Sequence, residues 1–355
     1  MTKTLNYHEQ MAIKTHYQLI SAMERLPDFC KFFFIGTEQS TQPRTQLRYA
    51  YDLTVFFRYI KNTKTDYSNI NIHDFPISIL DEISVFDIEQ FLSYLKLYTD
   101  ENGVQRTNGQ AGIKSKLSAI RSLYRYCFKH NMIKNNITQL IDLPQINEKK
   151  IIRLDDDEVD RLLTVIEDSN DSGSARQNSW NEKLKLRDYA IISLLLGTGI
   201  RVSECVGIDI GDINWINCSI KIIRKGGNED LVYFSDEVKA ALTKYNTQRS
   251  SLIIKSGHEN AFFLSKNRTR ISVRCIQELT HKYSKNIKAI TPHKFRSTFG
   301  TNLYVATKDI YLVANALGHT NVETTRKHYA EIPEYIKEEA RNTLHLRKSN
   351  QERNK

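Results

Sequence analysis

The stretch SIKIIRKGGNEDLVYF, residues 219–234, most limits what this chain can become. Two β-rich runs flank Lys-Gly-Gly-Asn, which is the signal of a tight hairpin. Helical spacing governs much of the rest. In RTQLRYAYDLTVFFRYI, Tyr49, Leu53, Phe56, Phe57 and Ile60 fall on one helical face. SVFDIEQFLSYLKLY opens with Ser84 and Asp87 at capping-box spacing. GIKSKLSAIRSLYRYCFKH carries a core stripe of Ile113, Leu117, Ile120, Tyr124 and Cys127. The expected fold is mostly α, with one small antiparallel sheet.

At 355 residues the chain exceeds the usual size of one domain, so two are expected. The composition changes around DLPQINEKKIIRLDDDEVDRLL. There a proline and a polar run precede a new helix whose first turn, Asp155 to Asp157, suits the helix dipole. The linker is placed at about 143–153, between a helical domain over 1–148 and a mixed α/β domain over 149–355. Within the latter, DSNDSGSARQNSWNE reads as a surface loop. KLKLRDYAIISLLLG reads as a buried helix ending at its glycine, Gly197. TPHKFRSTFGTNLYVA opens a helix with Thr291 as N-cap and Pro292 at the first position.

Lys and Arg total 51 against 41 Asp and Glu, a net charge of +10 that favours a polyanionic partner, nucleic acid first. On the helix of the core stripe, Lys114, Arg121, Arg125 and Lys129 form a separate basic ridge able to track phosphates, though a solvated face has the same pattern. Lys114, Arg121 and Arg125, with Arg44 and Arg48 on an earlier helix, are the candidate DNA contacts. Five scattered cysteines lack disulfide or metal-ligand spacing and suit a reducing cytoplasm. The first residues lack the apolar core of a secretion signal, and no apolar run approaches the ~18 residues a span needs. Neither a membrane partner, a metal nor a small-molecule cofactor is expected.

Candidate chemistry clusters in the second half. Arg201 follows a Gly-Thr-Gly break, and Glu204, three residues on, can hold its guanidinium; a structural ion pair would look the same. His293 and Arg296 share a face in the first turns of a helix, where free N–H groups and the dipole already favour an anion. Gly318 stops a helix and leaves His319 in a turn. Thr320 and Glu323 then have capping-box spacing for the helix carrying Arg326, Lys327, His328 and Tyr329. Any single one of the 18 tyrosines is more readily explained by packing than by reactivity.

Taken in order, LLLGTGIRVSEC, RKGGNEDLVYF, TPHKFRSTFGTNLY and ALGHTNVETTRKHYA resemble the motifs of the tyrosine recombinase (phage integrase and Xer) family. The likeness spans about 150–345, and extends more weakly to 1–150 through IKSKLSAIRSLYRYCFKHNMIKNNI. It implies a SAM-like core-binding domain and a catalytic domain that clamp duplex DNA. It implies cleavage through a 3′-phosphotyrosyl bond to Tyr329, with Arg201, Lys225, His293, Arg296 and His319 completing the site and Glu204 supporting it. It also implies a tetramer on two recombination sites. One departure is an extra residue between His319 and Tyr329, which makes Tyr335 the second candidate nucleophile. Ile332, Ile336, Ala340 and Leu344 stripe a tail helix that, by the same likeness, docks on a neighbouring protomer; packing on its own domain is the alternative. Two rival functions are a type IB-like topoisomerase and a DNA-binding accessory protein without activity.

Overall fold

Capping chemistry and apolar periodicity together set the helices of the computed structural model. It describes residues 6–100, 102–145, 152–168, 175–224, 226–319 and 321–329, with backbone only for 175–183, 324 and 327–329. Two compact units divide the chain, Met1–Lys149 and Lys150–Lys355.

In the first unit, α1 (Tyr7–Met23), α2 (Cys30–Thr37), α3 (Pro43–Thr63), α4 (Ile79–Glu82), α5 (Val85–Tyr94) and α6 (Gln110–Lys129) surround one core. A two-residue ribbon of β1 (Tyr98–Thr99) and β2 (Gln105–Arg106) precedes α6. Leu53, Phe56, Phe57 and Ile60 of α3 are fully buried, and Tyr49 packs at their edge. The stripe from Ile113 to Cys127 on α6 is buried throughout. Ser84 and Asp87 close the capping box of α5, with the Asp87 backbone N–H donating to Ser84 Oγ at 3.1 Å.

In the second unit, α7 (Asp156–Glu167) starts in a capping box made by Asp155 and Glu158. The long α8 (Ala175–Thr198) follows, and then α9 (Val202–Gly207). A sheet of β3 (Ile213–Asn214), β4 (Ser219–Ile223) and β5 (Glu229–Tyr233) comes next, antiparallel in the order β3-β4-β5. The expected hairpin is β4–β5, with Ile220 opposite Val232 and Ile222 opposite Asp230. α10 (Asp236–Ser250), α11 (Val273–Ser284), α12 (Pro292–Thr307), α13 (Ile310–Leu317) and α14 (Val322–Tyr329) complete the described residues.

α8 is the axis of this unit and packs against α7, α10 and α12. Its buried face carries Ile191, Ile192, Leu194 and Leu195. Arg187 and Asp188 are buried on it; Asp188 accepts from Arg187 Nε at 2.8 Å and from the Tyr283 hydroxyl at 3.0 Å, which ties α8 to α11. Burial pushes the Asp188 carboxyl up, and the Arg187 guanidinium opposes that shift.

Two sequence expectations need correction, and a third meets a residue outside the described ones. The polar stretch read as a surface loop is helical from Ala175 onward, because α8 begins there. Its residues after Gly173 include good helix formers (Ala175, Arg176, Gln177, Glu182) beside the turn-like ones. α8 also runs through Gly197 and stops after Thr198, since Gly199 (φ 62°) takes the left-handed conformation that ends it. Finally, α14 begins at Val322, and Asn321 Oδ1 accepts from the Glu323 backbone N–H at 2.8 Å. Asn321 thus meets the first turn, and the expected Thr320–Glu323 box involves Thr320, which lies outside the described residues.

Candidate active site

Gly199 and Gly318 fix the two turns from which the site is built. At Gly199 a Cβ would lie 2.4 Å from Phe299 Cδ1 of α12, so only glycine lets the end of α8 approach α12 so closely. The turn delivers Arg201 as the N-cap of α9. Its backbone N–H donates to Glu204 Oε2 at 2.7 Å, and its Nη1 donates to Glu204 Oε1 at 2.8 Å. The Arg201 side chain keeps one third of its surface exposed, whereas Glu204 is buried. A guanidinium held through one terminal nitrogen, on a side chain one third exposed, is ordered before any ligand arrives.

Arg296 sits one turn into α12 and is buried. Its Nη1 donates to the Gly199 carbonyl at 2.7 Å, and its Nη2 donates to the Leu317 carbonyl. One guanidinium thus joins the turn before Arg201 to the end of α13. His293, three residues earlier in the same helix, is exposed at its N-terminus behind Thr291 and Pro292.

The end of α13 accounts for each of its last four carbonyls. Gly318 (φ 59°) is left-handed, and two backbone bonds close the helix, Gly318 N–H to Asn315 O at 2.8 Å and His319 N–H to Ala314 O at 2.9 Å. The Ala316 carbonyl accepts from Arg224 Nη2 at 3.0 Å, and that of Leu317 from Arg296. Groups that a helix terminus leaves without internal partners are here bonded to two arginines. His319 follows directly, half-buried, and its Nδ1 lies 2.8 Å from Thr325 Oγ1 on α14. Thr325 is fully buried, so this bond fixes the imidazole orientation.

Of the residues named from sequence, Arg201, Arg296 and His319 are therefore linked through the ends of α8 and α13, and His293 lies on the helix of Arg296. Tyr329 is the last residue of α14, which packs against α12 and α13. Its side chain is not among those described, and Lys225 and Tyr335 lie outside the described residues altogether. So do Ile332, Ile336, Ala340 and Leu344 of the tail stripe.

Sequence reasoning overlooked Arg224. It is buried, and its Nε donates to Asp230 Oδ2 at 2.9 Å and its Nη1 to Glu204 Oε2 at 3.2 Å. The signal was available: Ile220, Ile222 and Arg224 alternate onto one buried face of the hairpin. A charged residue at an inward position has to be matched by partners.

In the first unit, Arg44, Arg48 and Arg125 are exposed, and Lys114 and Arg121 are half-buried. Arg48 lies 5.7 Å from the Tyr49 ring centroid. Arg121, Arg125, Tyr49, Ser118 and Leu143 line one shallow groove, in which Arg121 Nη2 donates to the Ile141 carbonyl. Among the described residues, no group of three or more His, Cys, Asp or Glu is arranged to hold a metal ion, and no helix is long and apolar enough to cross a membrane.

Residues 152–334 match the model of the phage integrase family. A tyrosine recombinase XerC from Caldanaerobacter subterraneus subsp. tengcongensis is 32% identical over 313 residues, covering 85% of this chain and 81% of the relative. A tyrosine recombinase XerS from Lactococcus lactis subsp. lactis is 30% identical over 360 residues, covering 92% and 98%. Among solved structures, the XerH site-specific recombinase in a post-cleavage complex with palindromic difH is similar in fold, with TM-score 0.60, 20% identity, and 92% of this chain and 94% of that one covered. A lambda integrase (75–356) dimer bound to a COC' core site is similar at TM-score 0.60 and 16% identity, covering 86% and 95%. With its mostly helical fold and its small antiparallel sheet, this chain belongs to the phage integrase family of tyrosine recombinases.

Proposed function

We propose that the protein is a site-specific recombinase in which Tyr329 attacks a scissile phosphodiester, while Arg201, Arg296 and His319 bind its non-bridging oxygens. The observation that carries this reading is the bonding of Arg296 to both the Gly199 and the Leu317 carbonyls, which holds the Arg201 and His319 turns to one helix. Tyrosine recombinases break and rejoin DNA, and the proposed route balances without an external energy source. A bond forms from the Tyr329 oxygen to phosphorus, and the bond from phosphorus to the 5′-oxygen breaks. His293 accepts the phenol proton, since a free phenol ionises only near pH ~10. Lys225, which the Lys-Gly-Gly-Asn sequence signal assigns to the hairpin turn, gives a proton to the departing 5′-oxygen. A 5′-hydroxyl of a partner strand then reverses the step, so one hard displacement becomes two easier ones. Guanidinium forks suit the charge that gathers on a pentacoordinate phosphorus.

In this reading residues 1–148 are the core-binding domain, which tracks the backbone with Arg44, Arg48, Lys114, Arg121 and Arg125, and 149–355 are the catalytic domain. Four copies act in the cytoplasm on two DNA sites, in chromosome dimer resolution or in integration and excision of a mobile element. Catalysis uses neither a metal nor a small-molecule cofactor.

The test uses duplex DNA selected from a random pool by the purified full-length chain, then nicked beside the cleavage position so that the product strand escapes. Wild type is expected to form a covalent adduct in EDTA, with the nucleotide mapping to Tyr329. Tyr329→Phe is expected to bind equally and form none. An adduct in the Phe variant, a nucleotide mapped to Tyr335, or a strict magnesium requirement would overturn the mechanism.

A further inference from the structure

We infer that Arg224 is a positioning residue that sets the phosphate-binding geometry of Arg201 and His319 without itself touching the phosphate. The inference rests on the reading of Arg201 and His319 given above.

Arg224 meets three separate elements through three donor atoms. Nε bonds Asp230 across the hairpin at 2.9 Å, Nη1 bonds Glu204 of α9 at 3.2 Å, and Nη2 bonds the Ala316 carbonyl of α13 at 3.0 Å. The hairpin is anchored at the same residue, because the Arg224 backbone N–H donates to Asn228 O at 2.8 Å and its carbonyl accepts from Gly227 at 3.1 Å. The side chain is only 9% exposed, with its donor atoms turned to protein acceptors. All three of its side-chain nitrogens, Nε included, are bonded to protein acceptors, so it is placed to orient, whereas Arg201, one third exposed, is placed to reach a ligand.

Glu204 is the shared element. One carboxylate oxygen takes the Arg201 guanidinium, and the other takes both the Arg201 backbone and Arg224. A lone carboxylate buried beside Arg201 could swing between rotamers. Held from the far side by a second guanidinium, it presents a fixed edge to Arg201. The second arm of Arg224 reaches α13 two residues before Gly318. A Cβ at Gly318 would lie 2.7 Å from Arg224 Nε and 2.9 Å from Cζ, so the absence of a side chain there makes room for the guanidinium. His319 leaves the helix from that point. Arg224 thus sets the spacing between the origin of the Arg201 side chain and the origin of the His319 side chain, and a small error in that spacing would misplace both relative to one phosphate.

The experiment compares two forms of the nicked, selected duplex described above. One carries the normal scissile phosphate and the other a methylphosphonate there, which lacks one charged non-bridging oxygen. Full-length wild type, Arg201→Ala, Arg224→Gln and Arg224→Lys are compared for DNA affinity, cleavage rate and melting temperature. On phosphate, Arg224→Gln is expected to cleave about 10–100-fold more slowly, as when an outer residue orienting a functional group is lost. On methylphosphonate its deficit relative to wild type should shrink to a few-fold, in parallel with Arg201→Ala. Arg224→Lys, which keeps the charge but not the fork, should show the same substrate dependence in milder form and covers the case in which the Gln variant does not fold. An Arg224 deficit of equal size on both substrates, while Arg201→Ala is relieved on methylphosphonate, would overturn this inference alone. An Arg201→Ala deficit that persists on methylphosphonate would overturn the assigned role of Arg201, and the present inference with it.

Discussion

The site arginines of the second unit differ from most of the candidate DNA contacts of the first in what their donors meet, Arg121 on the Ile141 carbonyl being the exception. In the second unit, Arg224 and Arg296 are buried and aimed at backbone carbonyls and carboxylates, and Arg201 is held at its base by Glu204. In the first, Arg44, Arg48 and Arg125 stand in solvent. An exposed guanidinium acts over a Debye length, is weakened by salt, and is ordered only when a ligand arrives. A buried one is ordered in advance, and each of its hydrogen bonds is made where water cannot compete. The first arrangement suits binding that tolerates many sequences, the second suits a reaction with one allowed geometry. The contrast separates affinity from rate, and it can be broken by experiment.

The strongest test is Arg296→Ala beside Arg201→Ala. Both should lower cleavage by about 10²–10³ while leaving DNA affinity nearly unchanged, because the missing charge matters most in the transition state. Stability should distinguish them. Arg296→Ala strands the Gly199 and Leu317 carbonyls, at a cost of roughly 1–3 kcal/mol each, and should lower the melting temperature by several degrees. Arg201→Ala strands one oxygen of the buried Glu204, which keeps the backbone N–H of residue 201 and Arg224 on its other oxygen, and should lower it less. Equal losses of affinity and rate would show that these arginines are ordinary backbone anchors.

Thr325→Val removes the hydroxyl 2.8 Å from His319 Nδ1 with little change of shape. Single-turnover cleavage should fall about tenfold, within the range for an orienting partner, with binding intact. An unchanged rate would mean that the imidazole needs no such support. Arg121→Ala with Arg125→Ala should have the smallest effect on chemistry. The salt dependence of binding should flatten by roughly one unit of slope per residue, measured by titration at several salt concentrations. Cleavage at saturating DNA should match wild type; a slower rate there would erase the division between the units.

Local features were legible in the sequence. The hairpin, the α6 stripe and the Gly318 stop each depend on neighbours a few residues away, so period and turn chemistry reveal them. Helix ends were less so. The start of α8 was hidden behind a turn-like run, and Asn321, next to Thr320, offers an equivalent cap for α14, its Oδ1 accepting from the Glu323 N–H. Arg224 was the real omission. Its significance depends on Glu204, 20 residues away, and on Ala316, 92 residues away, meeting at one point, and no local pattern encodes that meeting.

Arg296 joins a carbonyl 97 residues before it to one 21 residues after it. Contacts of such separation form late, after the local helices that surround them. A chain emerging from the ribosome completes its first unit, with the basic ridge of α6, long before residue 317 has been made. In the proposed reading such a chain already holds DNA but lacks every residue assigned to cutting it. In that reading the order of synthesis acts as a safety catch, because the grip on DNA is made before the means of cutting it.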